Sequence, residues 1–261
     1  MGQAAPSAST GTFPATRFLG ARFDLVPVEG VIAALRARRA GMAFAYVVTP
    51  NVDHVVRLAR QPELAPVYDG AWMSWNDSHP IRRLGRFVGL ALPHLNGTDV
   101  VERIFAEVLE PGDAIAVVGS DEALIADLKQ QFPAYRWVGH VPPFGFGADP
   151  QAFEAASRFV IDHPARFVFL GVGSPAQERL AQRIAADAAA TGTAFCTGAS
   201  LEFITGRKTR APQAMQALGL EWLHRLAREP GRLWRRYVLS ALPLIGLFAR
   251  DVASNGFRRG G

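Results

Sequence analysis

Three segments of the 261-residue chain repeat one pattern: a continuous apolar run, a small polar loop, then a stretch with helical periodicity. The first is Ala43–Val48, Thr49-Pro50-Asn51 and Val52–Arg60. The second is Ala114–Val118, Gly119-Ser120 and Asp121–Gln131. The third is Phe167–Leu170, Gly171-Val172-Gly173-Ser174-Pro175 and Ala176–Ala190. Apolar runs without alternation, each followed by a helix, predict parallel strands covered on both faces. Shorter strands are expected at Ala71–Trp75, Arg136–Val138 and Ala194–Cys196. The fold class is therefore α/β, a Rossmann-like doubly wound parallel sheet. Ligands in such folds sit at the carboxyl ends of the strands. That rule places Thr49, Asn51, Gly119, Ser120 and the Gly171–Gln177 loop on one functional edge.

The helix starts have fitting chemistry. Ser120 or Asp121 can cap the second helix, and Pro175 suits the first turn of the third. In the third, Leu180, Ile184 and Ala188 recur on one face, away from Glu178, Arg179, Arg183 and Asp187. The pattern changes near residue 206. Residues 207–236 hold eight basic and two acidic side chains, interleaved with Leu218, Leu220, Trp222, Leu223, Leu226, Leu233 and Trp234. Pro230 predicts a break between two helices, Pro212–Ala227 and Pro230–Leu239. The organisation expected is a disordered lead-in over 1–20, an α/β domain over 21–206 and a helical, basic appendage over 207–261. A packed helical pair with a solvated basic face would read the same way in the appendage.

Composition narrows the classes. Hydrophobic residues make up 49% and charged residues 20%, which excludes a largely disordered or fibrous chain. The single cysteine, Cys196, excludes a disulfide framework and a Cys-based zinc cluster. Lys and Arg exceed Asp and Glu by 28 − 23 = +5. The first sixteen residues lack the basic start and apolar core of a signal peptide. The longest largely apolar stretch, Tyr237–Ala249, is thirteen residues broken by Ser240, Pro243 and Gly246. A spanning helix needs roughly 20. The stretch is expected at most to lie on a membrane, with the chain in the cytoplasm.

Gly171-Val172-Gly173-Ser174-Pro175-Ala176 fits the loose dinucleotide pattern G-x-G-x-x-G/A between a strand and a helix, where backbone N–H groups attract phosphate. A plain tight turn would look the same. A dehydrogenase also needs an acid at the end of the next strand, but Ala194–Cys196 runs into Thr197-Gly198-Ala199-Ser200, and Glu202 lies past it. A different nucleotide diphosphate fits better. No Asp-x-Asp occurs, so a diphosphate leaving group would need arginines or helix N-termini. The six histidines form no i,i+4 pair, which argues against zinc. Asp77, in Trp75-Asn76-Asp77-Ser78-His79-Pro80, follows a short apolar run, where a carboxylate can serve as a general base. A capping or turn-forming Asp is the plainer reading from pattern alone. Asp69, in Tyr68-Asp69-Gly70, is its rival.

Taken together, these blocks resemble the WecG/TagA/CpsF family of bacterial glycosyltransferases. The strongest is Gly171-Val172-Gly173-Ser174-Pro175-Ala176-Gln177-Glu178. The second is Arg210-Ala211-Pro212, then Gly219–Leu226, Glu229-Pro230-Gly231-Arg232 and Arg235-Arg236-Tyr237. Weaker matches are Thr49–His54, Gly97-Thr98-Asp99, Gly119-Ser120 and Gly139-His140. The resemblance implies an inverting, metal-independent enzyme without a cofactor. The donor would be a UDP-sugar (N-acetylmannosamine, its uronic acid or glucose). The acceptor would be a polyprenyl-diphosphate-linked saccharide in bacterial surface or exopolysaccharide synthesis.

The resemblance points to Asp77 as the base, with Thr49 and Asn51 as further catalytic candidates. Gly119, Ser120, Gly139, His140, Gly171, Gly173, Ser174, Pro175, Gln177 and Glu178 are candidates for substrate binding. So are Arg210, Arg225, Arg232, Arg235 and Arg236, which would neutralise the departing diphosphate. Three departures bear on the sugar. Ser78 stands where the family has glycine after the base, His94 where it tends to have arginine, and Leu201-Glu202 where it has Phe-Asp. Arginine beside Trp and Leu also suits a helix lying on anionic lipid, so the cytoplasmic face of the inner membrane is the expected location. A dimer interface is the alternative use of that surface, and nucleic acid is not expected. Two other functions share the same features: a nucleotide-dependent oxidoreductase on the Gly-rich loop, and a non-catalytic basic module docking on membranes.

Overall fold

A computed structural model describes residues 13–119, 121–212, 215, 221–228 and 230–255. It contains a six-stranded sheet in which every pairing is parallel. In chain order the elements begin with a hairpin, β1 (Ala15–Phe18) and β2 (Ala21–Asp24), then α1 (Val28–Ala37), β3 (Ala45–Val48) and α2 (Val52–Arg60). Next come α3 (Ala65–Asp69), β4 (Met73–Ser74), α4 (His79–Phe87), α5 (Gly97–Glu107), β5 (Ala114–Gly119), α6 (Glu122–Gln131) and β6 (Arg136–His140). The domain continues with α7 (Pro150–Asp162), β7 (Phe167–Gly171), α8 (Ala176–Ala185), β8 (Thr193–Cys196) and α9 (Ser200–Ile204). Beyond it lie α10 (Glu221–Arg228) and α11 (Pro230–Asn255).

The strand order is β4-β3-β8-β7-β5-β6. Alternate strand residues feed two cores. Tyr46, Val48, Val118, Val168, Leu170 and Cys196 pack under α2, α3, α7 and α8. Val47, Ile115, Val117, Phe167, Phe169 and Phe195 pack under α1, α5, α6 and α9. Helices on both faces make the sheet doubly wound, as the unbroken apolar runs predict.

Side-chain caps start several of the helices, and Asp121 is the expected one. Asn51 Oδ1 accepts from the Asp53 N–H at 3.1 Å, and the His54 ring closes the capping box on the Asn51 N–H. Asp121 Oδ1 accepts from the Leu124 N–H at 2.7 Å and starts α6. Ser78 Oγ accepts from the Ile81 N–H at 3.3 Å and starts α4. The helix expected over Ala176–Ala190, α8, stops at Ala185, where Asp187 turns the chain and caps the Ala189 N–H at 3.0 Å.

Two expectations need correction. The lead-in of 1–20 is ordered from Ala15, where β1 pairs with β2. Residues 1–12 lie outside the described structure. The hairpin clamps β4: Asp24 Oδ2 accepts from the Ser74 N–H at 2.8 Å, and Arg22 donates to Ala71 O at 2.8 Å. Burial raises the Asp24 pKa, and the Ser74 N–H and Arg22 only partly offset it.

The second correction concerns the end of the chain. The helix expected to stop at Leu239 continues to Asn255 with Pro243 inside it. Pro243 forfeits a helical hydrogen bond, yet Leu244, Leu247, Phe248 and Val252 lie on one face and pack on the α2 side of the core. Tertiary packing outweighs the local penalty. The Phe248 ring meets Phe18 edge-on at 6.2 Å, and the Leu19 N–H donates to Asp251 Oδ2 at 3.1 Å. Among the described residues no helix is long and apolar enough to cross a membrane.

Candidate active site

All six strands point the same way, so their carboxyl ends form one edge. Thr49 follows β3, Asn76 and Asp77 follow β4, Thr197 follows β8, and the Gly171–Ser174 loop follows β7. The Asp77 N–H donates to Pro50 O at 3.2 Å, and the Trp75 N–H donates to Val48 O at 2.9 Å. These bonds hold Asp77 beside Thr49 and Asn51. Asp69 precedes β4 and lies at its amino end, ion-paired with Arg17 at 2.8 Å. The two rival carboxylates are thus at opposite ends of one strand, and only Asp77 stands on the carboxyl edge. The amino edge is occupied by structural pairing: buried Arg166 meets Asp113 at 2.6 Å and donates to Val108 O at 3.2 Å.

Thr49 is 5% exposed, and its hydroxyl donates to Cys196 O at 3.2 Å. Gln177 Nε2 donates to the same carbonyl at 3.1 Å and to Glu178 Oε1 at 2.8 Å. Gln177 and Glu178 are therefore turned beneath the edge, Glu178 completely buried. Gln177 Oε1 and Glu178 Oε2 are buried there without a hydrogen-bond partner. The first turn of α8 directs them inwards, where Gln177 ties α8 to the end of β8. Burial pushes the Cys196 thiol well above its usual pKa, and Glu178 adds to the effect.

The glycines differ in purpose. Gly119 pairs with Gly171 across β5 and β7, and a Cβ on Gly119 would lie 2.7 Å from the Gly171 carbonyl carbon. Its φ is +121°, so both packing and conformation demand glycine. Gly173 has φ +81° with open space where a side chain would stand, which leaves the loop backbone accessible. A Cβ on Gly139 would strike the Ile125 side chain at 2.4 Å, so that glycine serves packing against α6. His140 ends the far edge strand and stacks on Phe159 at 5.2 Å, and burial lowers its pKa. Five strand spacings, about 24 Å, separate β6 from β4. The structure brings Thr49, Asn51 and Asp77 together and leaves Gly139 and His140 apart from them. Ser120 lies outside the described residues.

Arg57 was not singled out from the sequence. From α2 it donates to Ser174 Oγ at 2.6 Å, which sets a cation against the Gly-rich loop. Within its helix it reads as one more surface arginine, and only the packing of α2 against the loop after β7 reveals it. Gly97 opens α5 close over the same edge, where an added Cβ would meet Thr197 at 3.4 Å and Thr49 at 3.8 Å. Beside it lies a shallow cleft lined by Asn96, Thr98, Phe203, Arg210, Glu221 and His224.

The full order of these blocks matches a known sequence profile. The glycosyl transferase WecG/TagA/CpsF family profile matches residues 16–257, nearly the whole chain. The chain belongs to the WecG/TagA/CpsF glycosyltransferase family. The oxidoreductase and non-catalytic alternatives give way to that membership.

In this glycosyltransferase the appendage arginines divide. Arg210 is engaged by acids: Asp99 at 2.6 Å, Glu102 at 3.3 Å and Glu221 at 3.4 Å. It pins α10 to the first turns of α5. Arg207 pairs with Asp121 at 2.6 Å, and Lys208 pairs with Glu202. The side chains of Arg225, Arg232, Arg235 and Arg236 lie outside the described part of the structure. Among the described residues, no three His, Cys, Asp or Glu side chains converge so as to hold a metal ion.

Proposed function

We propose that this family member transfers a sugar, with inversion, from a UDP-sugar to a polyprenyl-diphosphate-linked saccharide, with Asp77 as the general base. The observation that carries the reading is the position of Asp77 at the carboxyl end of β4, beside Thr49 and Asn51 and on the same edge as the Gly171–Ser174 loop. The acceptor hydroxyl attacks the anomeric carbon as Asp77 takes its proton, and the bond to UDP breaks on the opposite face. Negative charge then grows on the diphosphate. Arg57 beside Ser174, the start of α8 and the arginines of α10 and α11 are its candidate partners, and no metal is required. Thr49, tied to Cys196 O, and Asn51, which caps α2, fix the wall next to Asp77.

The reading extends to a peripheral site on the cytoplasmic face of the bacterial inner membrane. Phe87, Leu242 and Ile245 are 66%, 75% and 64% exposed. Phe87 contacts Phe248 edge-on at 6.0 Å, which seats α4 against α11 and brings exposed Phe87 to the same side of the molecule as that helix. Exposed Arg86 on α4 and exposed Arg250 on α11 accompany it. That combination suits an anionic bilayer, where a lipid-linked acceptor is found. The decisive experiment is Asp77→Asn assayed with a UDP-sugar and a synthetic lipid-diphosphate acceptor. Transfer should fall by about 10²–10⁴-fold with UDP binding retained. Transfer within about a factor of two of the parent, far below that range, would remove Asp77 from the role.

A further inference from the structure

His79 opens α4 two residues after Asp77, and His94 stands in the loop before α5. Their rings stack with centroids 3.9 Å apart and planes 24° from parallel. The loop is fastened to the end of β4 on both sides of His94. Asn76 Nδ2 donates to Pro93 O at 3.2 Å, and the Leu95 N–H donates to Asn76 O at 3.0 Å. The stack is therefore built onto the strand end that carries Asp77. His79 also lies within electrostatic reach of Glu221, which lines the cleft beside α5.

The charges facing the pair come from three helices. Arg82 and Arg83 belong to α4, Asp99 to α5 and Glu221 to α10. Counted with Arg210 and its partner Glu102, three cations face three carboxylates, and Asp77 adds a fourth acid nearby. Arg210, the next cation along the cleft, is held by Asp99, Glu102 and Glu221. Burial lowers both histidine pKa values, that of His94 to about 4 with His79 adding to the effect. Both rings are thus neutral at neutral pH. Each neutral imidazole offers one donor and one acceptor, the same complement that a sugar hydroxyl requires. A carboxylate on the sugar would find no surplus cation and would repel Asp77, Asp99 and Glu221.

We propose that the His79–His94 stack is a specificity-determining wall of the sugar subsite beside Asp77, and that it selects a neutral hexose or N-acetylhexosamine donor over a hexuronate. The inference rests on the transferase reading above and adds the donor class.

The test uses the full chain, a lipid-diphosphate acceptor and two matched donor pairs. These are UDP-N-acetylmannosamine against its uronate, and UDP-glucose against UDP-glucuronate. In whichever pair is turned over, kcat/KM should favour the neutral donor at least tenfold. His94→Arg should shrink that ratio at least tenfold by admitting the uronate, while His94→Gln should preserve it. A parent that prefers the uronate overturns the proposal without any variant being needed. So does a folded His94→Arg protein that loses both donors equally, since the histidine then only positions its neighbours. No turnover with any donor, despite UDP binding, would overturn the transferase reading itself, and the donor inference with it.

Discussion

Gly119→Ala probes how closely the strand ends must approach. The added methyl group would lie 2.7 Å from the carbonyl carbon of Gly171 and 2.9 Å from its oxygen. Both atoms are backbone, so no side-chain rotation relieves the contact. Overpacking of this kind costs about 1–3 kcal/mol. Alanine must also hold φ at +121°, a region that L-residues rarely adopt, at a further cost of about 1–3 kcal/mol. The total, about 2–6 kcal/mol, is a large part of a typical domain's stability of about 5–15 kcal/mol. Gly173→Ala is the control. Its φ is +81° but its Cβ meets nothing within 4 Å, so only the conformational cost applies. Urea denaturation of the two variants and the parent should rank Gly119→Ala clearly below Gly173→Ala. A Gly119→Ala loss under about 0.5 kcal/mol would refute the claim that β5 and β7 need two glycines in register.

Three other outcomes follow from the same contacts. Arg57→Ala should weaken UDP binding by roughly tenfold, about 1.4 kcal/mol, in calorimetric titration, and an unchanged Kd would take Arg57 out of the nucleotide site. Leu244→Ala should cost about 2–4 kcal/mol because Leu244 is 8% exposed. Leu242→Ala, at 75% exposed, should leave stability within about 0.5 kcal/mol but reduce flotation with anionic vesicles, and the opposite ranking would reverse the two faces assigned to α11. His94 has its folded pKa depressed to about 4 from about 6.5 in an unfolded chain. Between these values the unfolded state binds more protons, so stability should fall as pH drops through that window. His94→Gln should lose less stability than the parent between pH 7 and 5, and an equal loss would contradict the assignment.

Much of the sheet was legible because its strands are buried on both faces. Val117 and Val118, like Phe167 and Val168, need apolar neighbours above and below, and this leaves an unbroken apolar run in the sequence. The Asp121 cap was legible because it acts on backbone three residues on. Distances across the sheet were not. Gly139-His140 reads as a site motif, but only strand order shows it to be the far edge. Asp69 and Asp77 look alike in sequence, and the direction of β4 separates them. Pro243 and Gly246 read as breaks in α11 because their local cost is visible, while the contacts of Leu244 and Phe248 that outweigh it are not. Arg57 carried no local signal at all.

The meeting of β1 with α11 has a consequence for how the molecule is completed. Phe18 and Phe248, and Leu19 and Asp251, are joined across almost the entire chain. β1 therefore waits for α11 to complete its packing, and the clamp on β4 through Asp24 and Arg22 is braced by residues more than 200 positions further along the sequence. Damage to one of these two elements should register in the other. A Phe18→Ala change should loosen α11 in hydrogen exchange. A deletion of α11 should loosen the hairpin that holds the strand leading to Asp77.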